Sequence, residues 1–199
     1  MDTTKTKIKN KNYKNLMPNT NSSTIKVQKR DGRLEDLDIN KIHFVVEEAC
    51  EGLAGVSSSQ IEMNANIQFY DGMTTKDIQN VLVRSANDLI SLETPNYQYA
   101  AARLLSYDVR KEAHGQYEYI PLVKLVLRNI RLGVYDKGII EKYTKTDLKK
   151  FNTWIKRDRD LNFTYAGLRQ IVDKYLVQDR SSGQIYETPQ DMYMMIAAT

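Results

Sequence analysis

The sequence predicts an α+β fold in which helices dominate. Residues 24–30 alternate apolar and polar side chains, as expected of a half-buried strand. Asp31-Gly32 is a strong hairpin signal, and residues 33–37 can form a short return strand. Most later apolar residues recur at the spacing of one helix face. A small hairpin sheet capped by a helix bundle is therefore the expected architecture.

Start and stop signals divide the part of the chain before Gly115 into further elements. A Ser, Thr, Asp or Asn residue before an apolar stripe marks a helix start, and Gly marks an exit. The predicted elements are a helix over about 40–53 capped by Asp38 or Asn40, a helix from Ser57, an extended piece over 67–70, a helix from the capping box of Thr74 and Asp77 to about Ile90, and a helix from Thr94-Pro95 to about His114.

After Gly115, helices alternate with short breaks. The predicted elements are a helix from Pro121 to Gly133, a helical segment opened by Thr146-Asp147, a helix over 164–175, a hairpin that turns at 179–183, and a helix from Thr188-Pro189. The expected domain organisation is a tail over 1–23, a compact unit over 24–115, and a mainly helical segment with one β-hairpin over 116–199.

Composition excludes several classes of function. The chain has 199 residues, of which 29 are Lys or Arg, 25 are Asp or Glu, two are His and one is Cys. A single thiol excludes an internal disulfide, and one Cys with two His cannot supply a zinc ribbon, so no protein-ligated metal is expected. No apolar run approaches the roughly 20 residues of a membrane span. We therefore expect a cytoplasmic protein without a membrane partner.

Basic residues concentrate at the start of the chain, where the first 30 positions hold eight Lys or Arg and one acid. Residues 1–23 are rich in Lys, Asn and Thr and poor in apolar residues, so a disordered, solvated tail is expected. A nucleic-acid tether is the alternative. It ranks last, because nucleic-acid footprints normally lie on a folded basic face.

No common catalytic or phosphate-loop motif is present in the sequence. A polyphosphate site is suggested by Lys29-Arg30 beside the predicted hairpin turn, Lys41 in the first turn of one predicted helix, and Thr75 in the first turn of another. Helix N-termini offer free N–H groups and a partial positive charge that favour anions. The alternative is that these basic residues are ordinary solvated surface.

The other chemically active side chains have simpler interpretations. His43 is expected to be a surface or capping residue, and His114 to complement a helix dipole. Cys50 is expected to be a buried, inert thiol. The cluster over 158–160 could be an acid and base site, but a surface ion-pair group is the favoured interpretation.

Ordered sequence blocks nevertheless resemble a known family. Residues 27–43 resemble the opening of an ATP-cone, the nucleotide-sensing domain at the N-terminus of many ribonucleotide reductase large subunits. Blocks at 67–78, 88–91, 95–104, 110–117, 158–160, 174–177 and 183–187 resemble the bacterial and phage class I enzyme. Because the blocks continue past residue 115, the resemblance points to the reductase and not only to the cone.

The resemblance implies a site for ATP as activator or dATP as inhibitor, with Mg²⁺. The implied site residues are Lys29, Arg30, Glu35, Asp36, Leu37, Asp38, Ile39, Asn40, Lys41, Thr75 and Lys111. The basic members would neutralise the triphosphate, and Thr75 would offer a helix-terminal hydroxyl or N–H. Glu35, Leu37 and Asp38 would face the base, with Leu37 or Ile39 in apolar contact with the ring.

The sequence departs from the family pattern at two positions of this region. Related sequences often have Asn where this chain has Asp38, and His where it has Gln79. A carboxylate is a poorer neighbour for phosphate, and a neutral Gln removes a possible phosphate donor. Binding is expected to survive, with the discrimination between ATP and dATP open to change.

The resemblance also implies that the chain is one part of a class I, thioredoxin- or glutaredoxin-dependent reductase. The family's catalytic cysteines are absent, so this chain alone is not expected to be catalytic. The implied partners are the remainder of the large subunit, in the same or a separate polypeptide, the small (beta) subunit, and a second large subunit. The alternative is a free-standing adenine-nucleotide-binding regulatory module.

Overall fold

The computed structural model describes residues 25–199, so the predicted tail over 1–23 lies outside the described residues. A three-stranded sheet has the order β2-β1-β3, with strands β1 (Lys26–Gln28), β2 (Leu34–Asp36) and β3 (Met73–Thr74). Val27 of β1 pairs with Glu35 in the antiparallel register and with Met73 in the parallel one. The expected hairpin is therefore confirmed, and it gains a third strand.

The third strand lies later in the chain than the predicted extended piece over 67–70. The backbone N–H of Lys26 donates to the Asp71 carboxylate at 2.7 Å, and the Gly72 N–H donates to the Lys26 carbonyl at 2.8 Å. Gly72 has a φ of 83°, a conformation that glycine adopts without strain. The turn directs the chain alongside β1, so strand pairing begins only after it, at Met73 and Thr74.

Helices account for most of the remaining structure and confirm the expected, mostly helical α+β class. Before Gly115 they are α1 (Ile39–Cys50), α2 (Ser58–Asn66), α3 (Thr75–Asp88) and α4 (Tyr97–His114). After it they are α5 (Leu122–Arg131), α6 (Gly138–Lys142), α7 (Lys145–Trp154), a 3₁₀ helix (Arg157–Asn162), α8 (Tyr165–Lys174) and α9 (Pro189–Ala198).

Two predicted helix starts are wrong by about two residues. The Thr94 hydroxyl donates to the Leu89 carbonyl at 2.8 Å, so it closes the preceding loop and α4 begins at Tyr97. Helix α7 is capped by Thr144 and not by Thr146, because only Thr144 has an acid three residues later. Asp147 completes that capping box.

Helix α4 is the centre of the larger hydrophobic core. Tyr97 and Leu104 are almost fully buried in this core, which also contains Leu168 and Val172 of α8. A smaller cluster gathers apolar residues of α5, α6, α7 and α9. The division at residue 115 stays a prediction, since the larger core continues across it. Among the described helices, none is both long and apolar enough to span a bilayer.

The C-terminal part contains the predicted hairpin in reduced form. A single antiparallel bridge joins Gln178 and Ile185, and the Asp179 N–H donates to the Gln184 carbonyl at 2.9 Å. We refer to residues 178–185 as the C-terminal hairpin. Its Ile185 side chain is buried in the larger core, so the hairpin is held against α4 and α8.

Candidate functional site

A cleft forms where β1 and β2 meet the first turns of α1 and α3 and the last turn of α4. Its non-atom space is about 620 Å³, part of which is open to solvent. We call this space the main cleft. Eight of the eleven predicted site residues line it: Lys29, Glu35, Asp36, Leu37, Asp38, Lys41, Thr75 and Lys111.

The other three predicted residues lie outside the main cleft. Arg30 lines an adjoining cleft, which shares Lys29 and Thr75 with the main one. Asn40 borders a second adjoining depression, which shares Lys41, Val45 and Lys111 with the main cleft. Ile39 is 50% exposed and lines no part of the main cleft. The lining of the adjoining cleft is Gln28, Lys29, Arg30, Gly32, Thr74, Thr75, Lys76, Glu112 and Gln184.

Several cations from different elements crowd one end of the main cleft. Lys29 and Arg30 follow β1, and Lys111 lies near the end of α4. Burial lowers the pKa of Lys111, and the positive charges of Arg30 and Lys29 lower it further. Like charges held together at a partly buried place raise the free energy of the protein unless an anion joins them. The arrangement is therefore suited to a highly charged anion.

Carboxylates partly compensate these cations. Glu35 lies 3.2 Å from the Lys29 ammonium, and Asp108 lies 3.2 Å from the Arg30 guanidinium. Burial raises the pKa of Asp108, and the nearby Arg30 opposes that rise. Asp108 also acts on Lys111 and favours its charged form, but among the described residues the Lys111 ammonium has no ion pair of its own.

Helix α3 directs its N-terminus at the same place. Thr74 caps the helix and forms a capping box with Asp77, which accounts for two of the N–H groups at this end. The N–H groups of Thr75 and Lys76 have no partner within the helix, as for any first turn. A helix of 14 residues also carries a partial positive charge at this end. Thr75 thus offers a hydroxyl and an N–H beside the cations.

Asp38 has a structural role that the sequence indicated as one of two alternatives. Its carboxylate caps α1, accepting from the N–H groups of Asn40 at 3.1 Å and Lys41 at 3.3 Å. The Lys41 ammonium lies 3.4 Å away. Partial burial acts to raise the pKa of Asp38, but the hydrogen bonds from Lys41 outweigh it and lower the pKa. The carboxylate therefore stays charged and directed toward the helix end.

The main cleft has an apolar wall that the sequence did not assign to the site. These residues were predicted only as buried helix or strand positions, because periodicity indicates burial and not which buried residues border a cleft. The wall consists of Val27, Ile42, Val45, Ile78 and Leu82. A flat, apolar ring system could lie against it while its polar edge faces Glu35 or Asp36.

Gln79 also lines the main cleft, but its amide is already used. The side-chain N–H₂ donates to the backbone carbonyl of Leu104 at 2.7 Å, across to α4. An amide fixed in this way ties α3 to α4 at the wall of the cleft. Gln79 is therefore a neutral structural link between the two helices.

His114 lies in the last turn of α4, as expected of a residue that complements the helix dipole, but it and Asp160 are both buried. The side chain of His114 is fully buried, with Nε2 3.2 Å from Asp191, and Asp191 lies 2.6 Å from Arg157. Asp160 is also fully buried, so the surface ion-pair interpretation of 158–160 is wrong for this residue. Burial raises the pKa of Asp160 to about 7, and Gln190 and Arg157 offset only part of that effect.

The remaining candidates match their simple interpretations. His43 is exposed between Glu47 and Glu62 on the surface of α1 and α2. Cys50 is partly buried, and burial raises the pKa of its thiol to about 11, as expected of an unreactive cysteine. Over residues 25–199, no group of three or more His, Cys, Asp or Glu side chains is placed to hold a metal ion.

Comparison with known proteins agrees with this architecture. Residues 25–112, which contain the sheet and every predicted site residue, match the ATP cone domain, and residues 161–199 match the ribonucleotide reductase all-alpha domain. The family resemblance that the sequence blocks indicated is confirmed.

The chain is similar over most of its length to the N-terminal regions of bacterial and phage ribonucleoside-diphosphate reductase alpha subunits. It is 45% identical over 177 residues to the ribonucleoside-diphosphate reductase 1 subunit alpha of Salmonella typhimurium, a match over 89% of this chain and 23% of that protein. The Escherichia coli protein of the same name is 46% identical over 172 residues, covering 86% and 23%. The alpha subunit of Enterobacteria phage T4 is 41% identical over 174 residues, covering 86% and 23%. The chain thus spans about a quarter of the length of these relatives.

Proposed function

We propose that the main cleft binds ATP or dATP as an allosteric effector. The observation that carries this proposal is the cation group at one end of the cleft, where burial and the charges of Arg30 and Lys29 lower the pKa of Lys111. A triphosphate would relieve that repulsion, and Thr75 at the start of α3 would add a hydroxyl and an N–H. The match to the ATP cone domain supports the same ligand class.

The adenine base would occupy the opposite end of the cleft. Its ring would pack against Leu37 and the apolar wall, and its exocyclic amine would donate to Asp36. Ile39 takes no part in this arrangement because of its exposure. Asp38 would act through the α1 cap and through Lys41.

Magnesium would enter with the nucleotide. Mg²⁺ is usually held by phosphate oxygens, waters and one or two carboxylates. Glu35, which lies 3.2 Å from the Lys29 ammonium at the cation end of the cleft, is an acidic residue that could reach such an ion. The protein would therefore contribute one carboxylate to an ion that is held mainly by the nucleotide.

At the level of the whole assembly, the chain would serve as the regulatory part of a class I ribonucleoside-diphosphate reductase large subunit. Its partners would be the remaining part of the large subunit, a second large subunit and the small (beta) subunit, in the cytoplasm. The reduction chemistry would belong to the rest of the large subunit. The bound effector would act by favouring one assembly over another, through unequal affinity for the two.

Calorimetric titration of the purified chain with ATP and dATP in Mg²⁺ tests the nucleotide site. We expect saturable binding to the unaltered chain and a loss of at least about tenfold in affinity, roughly 1.4 kcal/mol, in a Lys29→Ala, Lys111→Ala variant. The matched control is Lys145→Ala, Lys149→Ala, which removes the same charge from the exposed surface of α7. The site would be refuted if a folded chain gave no heat of nucleotide binding, or if both variants lost the same amount of affinity.

A further inference from the structure

One glutamate connects the clefts to the C-terminal hairpin. Glu112 lies near the end of α4, and its side chain is only 8% exposed. One carboxylate oxygen lies 3.5 Å from the Lys76 ammonium of α3, and the other accepts from the Ile185 N–H at 3.3 Å. The Glu112 backbone carbonyl also accepts from the Gln184 side-chain amide at 3.2 Å.

These contacts join two segments that match different families. Glu112 is the last residue of the ATP cone match, whereas Gln184 and Ile185 lie within the match to the reductase all-alpha domain. Lys76, Glu112 and Gln184 together line the adjoining cleft, whose non-atom space is about 820 Å³. Because Lys29 and Thr75 border both clefts, an anion on those two residues lies at the entrance to this second space.

We propose that Glu112 is a positioning residue that transmits occupation of the nucleotide site to the C-terminal hairpin. The inference rests on the proposed function, since it requires a polyphosphate at Lys29 and Thr75. It adds a route by which the ligand changes the all-alpha part of the chain.

The expected direction of the change follows from charge. A polyphosphate attracts the Lys76 ammonium and repels the Glu112 carboxylate, so both act to weaken their mutual contact. A Glu112 side chain that turns away no longer accepts from the Ile185 N–H. The hairpin then loses one of the hydrogen bonds that hold it to α4, and it opens more often. Coupling between two sites is reciprocal, so release of the hairpin from Glu112 should strengthen nucleotide binding by the same factor by which the nucleotide favours release.

Amide hydrogen exchange of the full chain, with and without MgATP, measures this coupling. In the unaltered chain we expect MgATP to speed exchange of the peptide containing Ile185 by about fivefold or more. In Glu112→Gln the amide oxygen can still accept from Ile185, but the charge is gone. In this variant MgATP should change the exchange rate of the peptide containing Ile185 by less than about twofold. Calorimetry should show that the variant binds the nucleotide at least as tightly as the unaltered chain does.

The matched control is Glu141→Gln, which neutralises an exposed acid on α6 and should retain the full effect of MgATP. If calorimetry shows nucleotide binding but the exchange rate of the hairpin does not change, the coupling is overturned and the nucleotide site still stands. If MgATP speeds hairpin exchange in folded Glu112→Gln as much as in the unaltered chain, the coupling through Glu112 is likewise overturned and the nucleotide site still stands. Absence of nucleotide heat from the unaltered chain would overturn the proposed function and this inference together.

Discussion

The Arg30 guanidinium lies 3.2 Å from the carboxylate of Asp108, a residue of α4 that is only 8% exposed. A cation of the proposed phosphate site is therefore already paired within the protein. An incoming triphosphate has to share Arg30 with the Asp108 carboxylate or displace that carboxylate from Arg30. Asp108 thus opposes binding, because its carboxylate already compensates part of the positive charge that a triphosphate would otherwise neutralise.

Replacing this carboxylate by an amide should strengthen nucleotide binding. Asp108→Asn keeps the shape and a hydrogen-bond acceptor for Arg30 but removes the negative charge near the phosphates. We expect ATP affinity to rise by up to about tenfold, roughly 1.4 kcal/mol, as measured by calorimetry. Asp173→Asn is the control, because it removes an exposed carboxylate paired with Arg169 on α8. Weaker binding by Asp108→Asn would contradict the competition between Asp108 and phosphate.

The α1 cap predicts a difference between two substitutions of Asp38. Asp38→Asn can still accept from the Asn40 and Lys41 N–H groups, whereas Asp38→Ala cannot. We expect Asp38→Ala to lose about 1 kcal/mol of unfolding free energy in urea titrations, and Asp38→Asn to lose little. Equal losses in the two variants would show that the carboxylate charge, and not the cap, stabilises α1.

A buried hydroxyl ties the start of α2 to α4. The Tyr97 hydroxyl accepts from the Ser57 N–H at 3.0 Å and donates to the Gln60 side-chain oxygen at 2.7 Å. Tyr97→Phe should lower the unfolding free energy by roughly 1–3 kcal/mol, because it leaves the Ser57 N–H without this partner. Tyr175→Phe, at an exposed position, should change it by less than about 0.5 kcal/mol. Equal effects would show that the Tyr97 hydroxyl does not link the two helices.

Local signals allowed much of the fold to be predicted. The turn at Asp31-Gly32 and the capping box of Thr74 and Asp77 depend only on residues that are close in sequence, and both appear as expected. The site residues over 29–41 could be named together because they belong to one sequence block. Lys111 was reached through the family resemblance, and only the tertiary structure shows that α4 brings it beside Lys29 and Arg30.

Features that depend on distant packing could not be predicted. The apolar wall of the main cleft combines residues of β1, α1 and α3, which no single periodicity relates to one another. In the sequence Glu112 looks like an ordinary charged residue of a helix. Its contact with the C-terminal hairpin is visible only in the folded chain. The burial of Asp160 likewise arises because α9 packs on the 3₁₀ helix, about 30 residues away along the chain.

The buried carboxyl of Asp160 should make stability depend on pH. Burial raises its pKa to about 7, and the hydrogen bonds from Gln190 and the charge of Arg157 offset only part of that rise. An unfolded chain ionises this group near pH 3.9, so the folded state holds the proton more tightly. The contribution of Asp160 to the unfolding free energy therefore falls as pH rises from about 4 to about 7, and it levels off above that.

Asp160→Asn removes this dependence, so the variant should gain stability over the unaltered chain as pH rises. At pH 4 the gain should be small, and by pH 8 it should approach about 4 kcal/mol, measured by urea unfolding across the range. Asp158→Asn, an exposed neighbour on the same 3₁₀ helix, should show no such trend. A difference between Asp160→Asn and the unaltered chain that stays constant with pH would mean that Asp160 ionises normally in the folded protein. Its burial would then have to be compensated by a charge or donor that the packing around α9 brings closer.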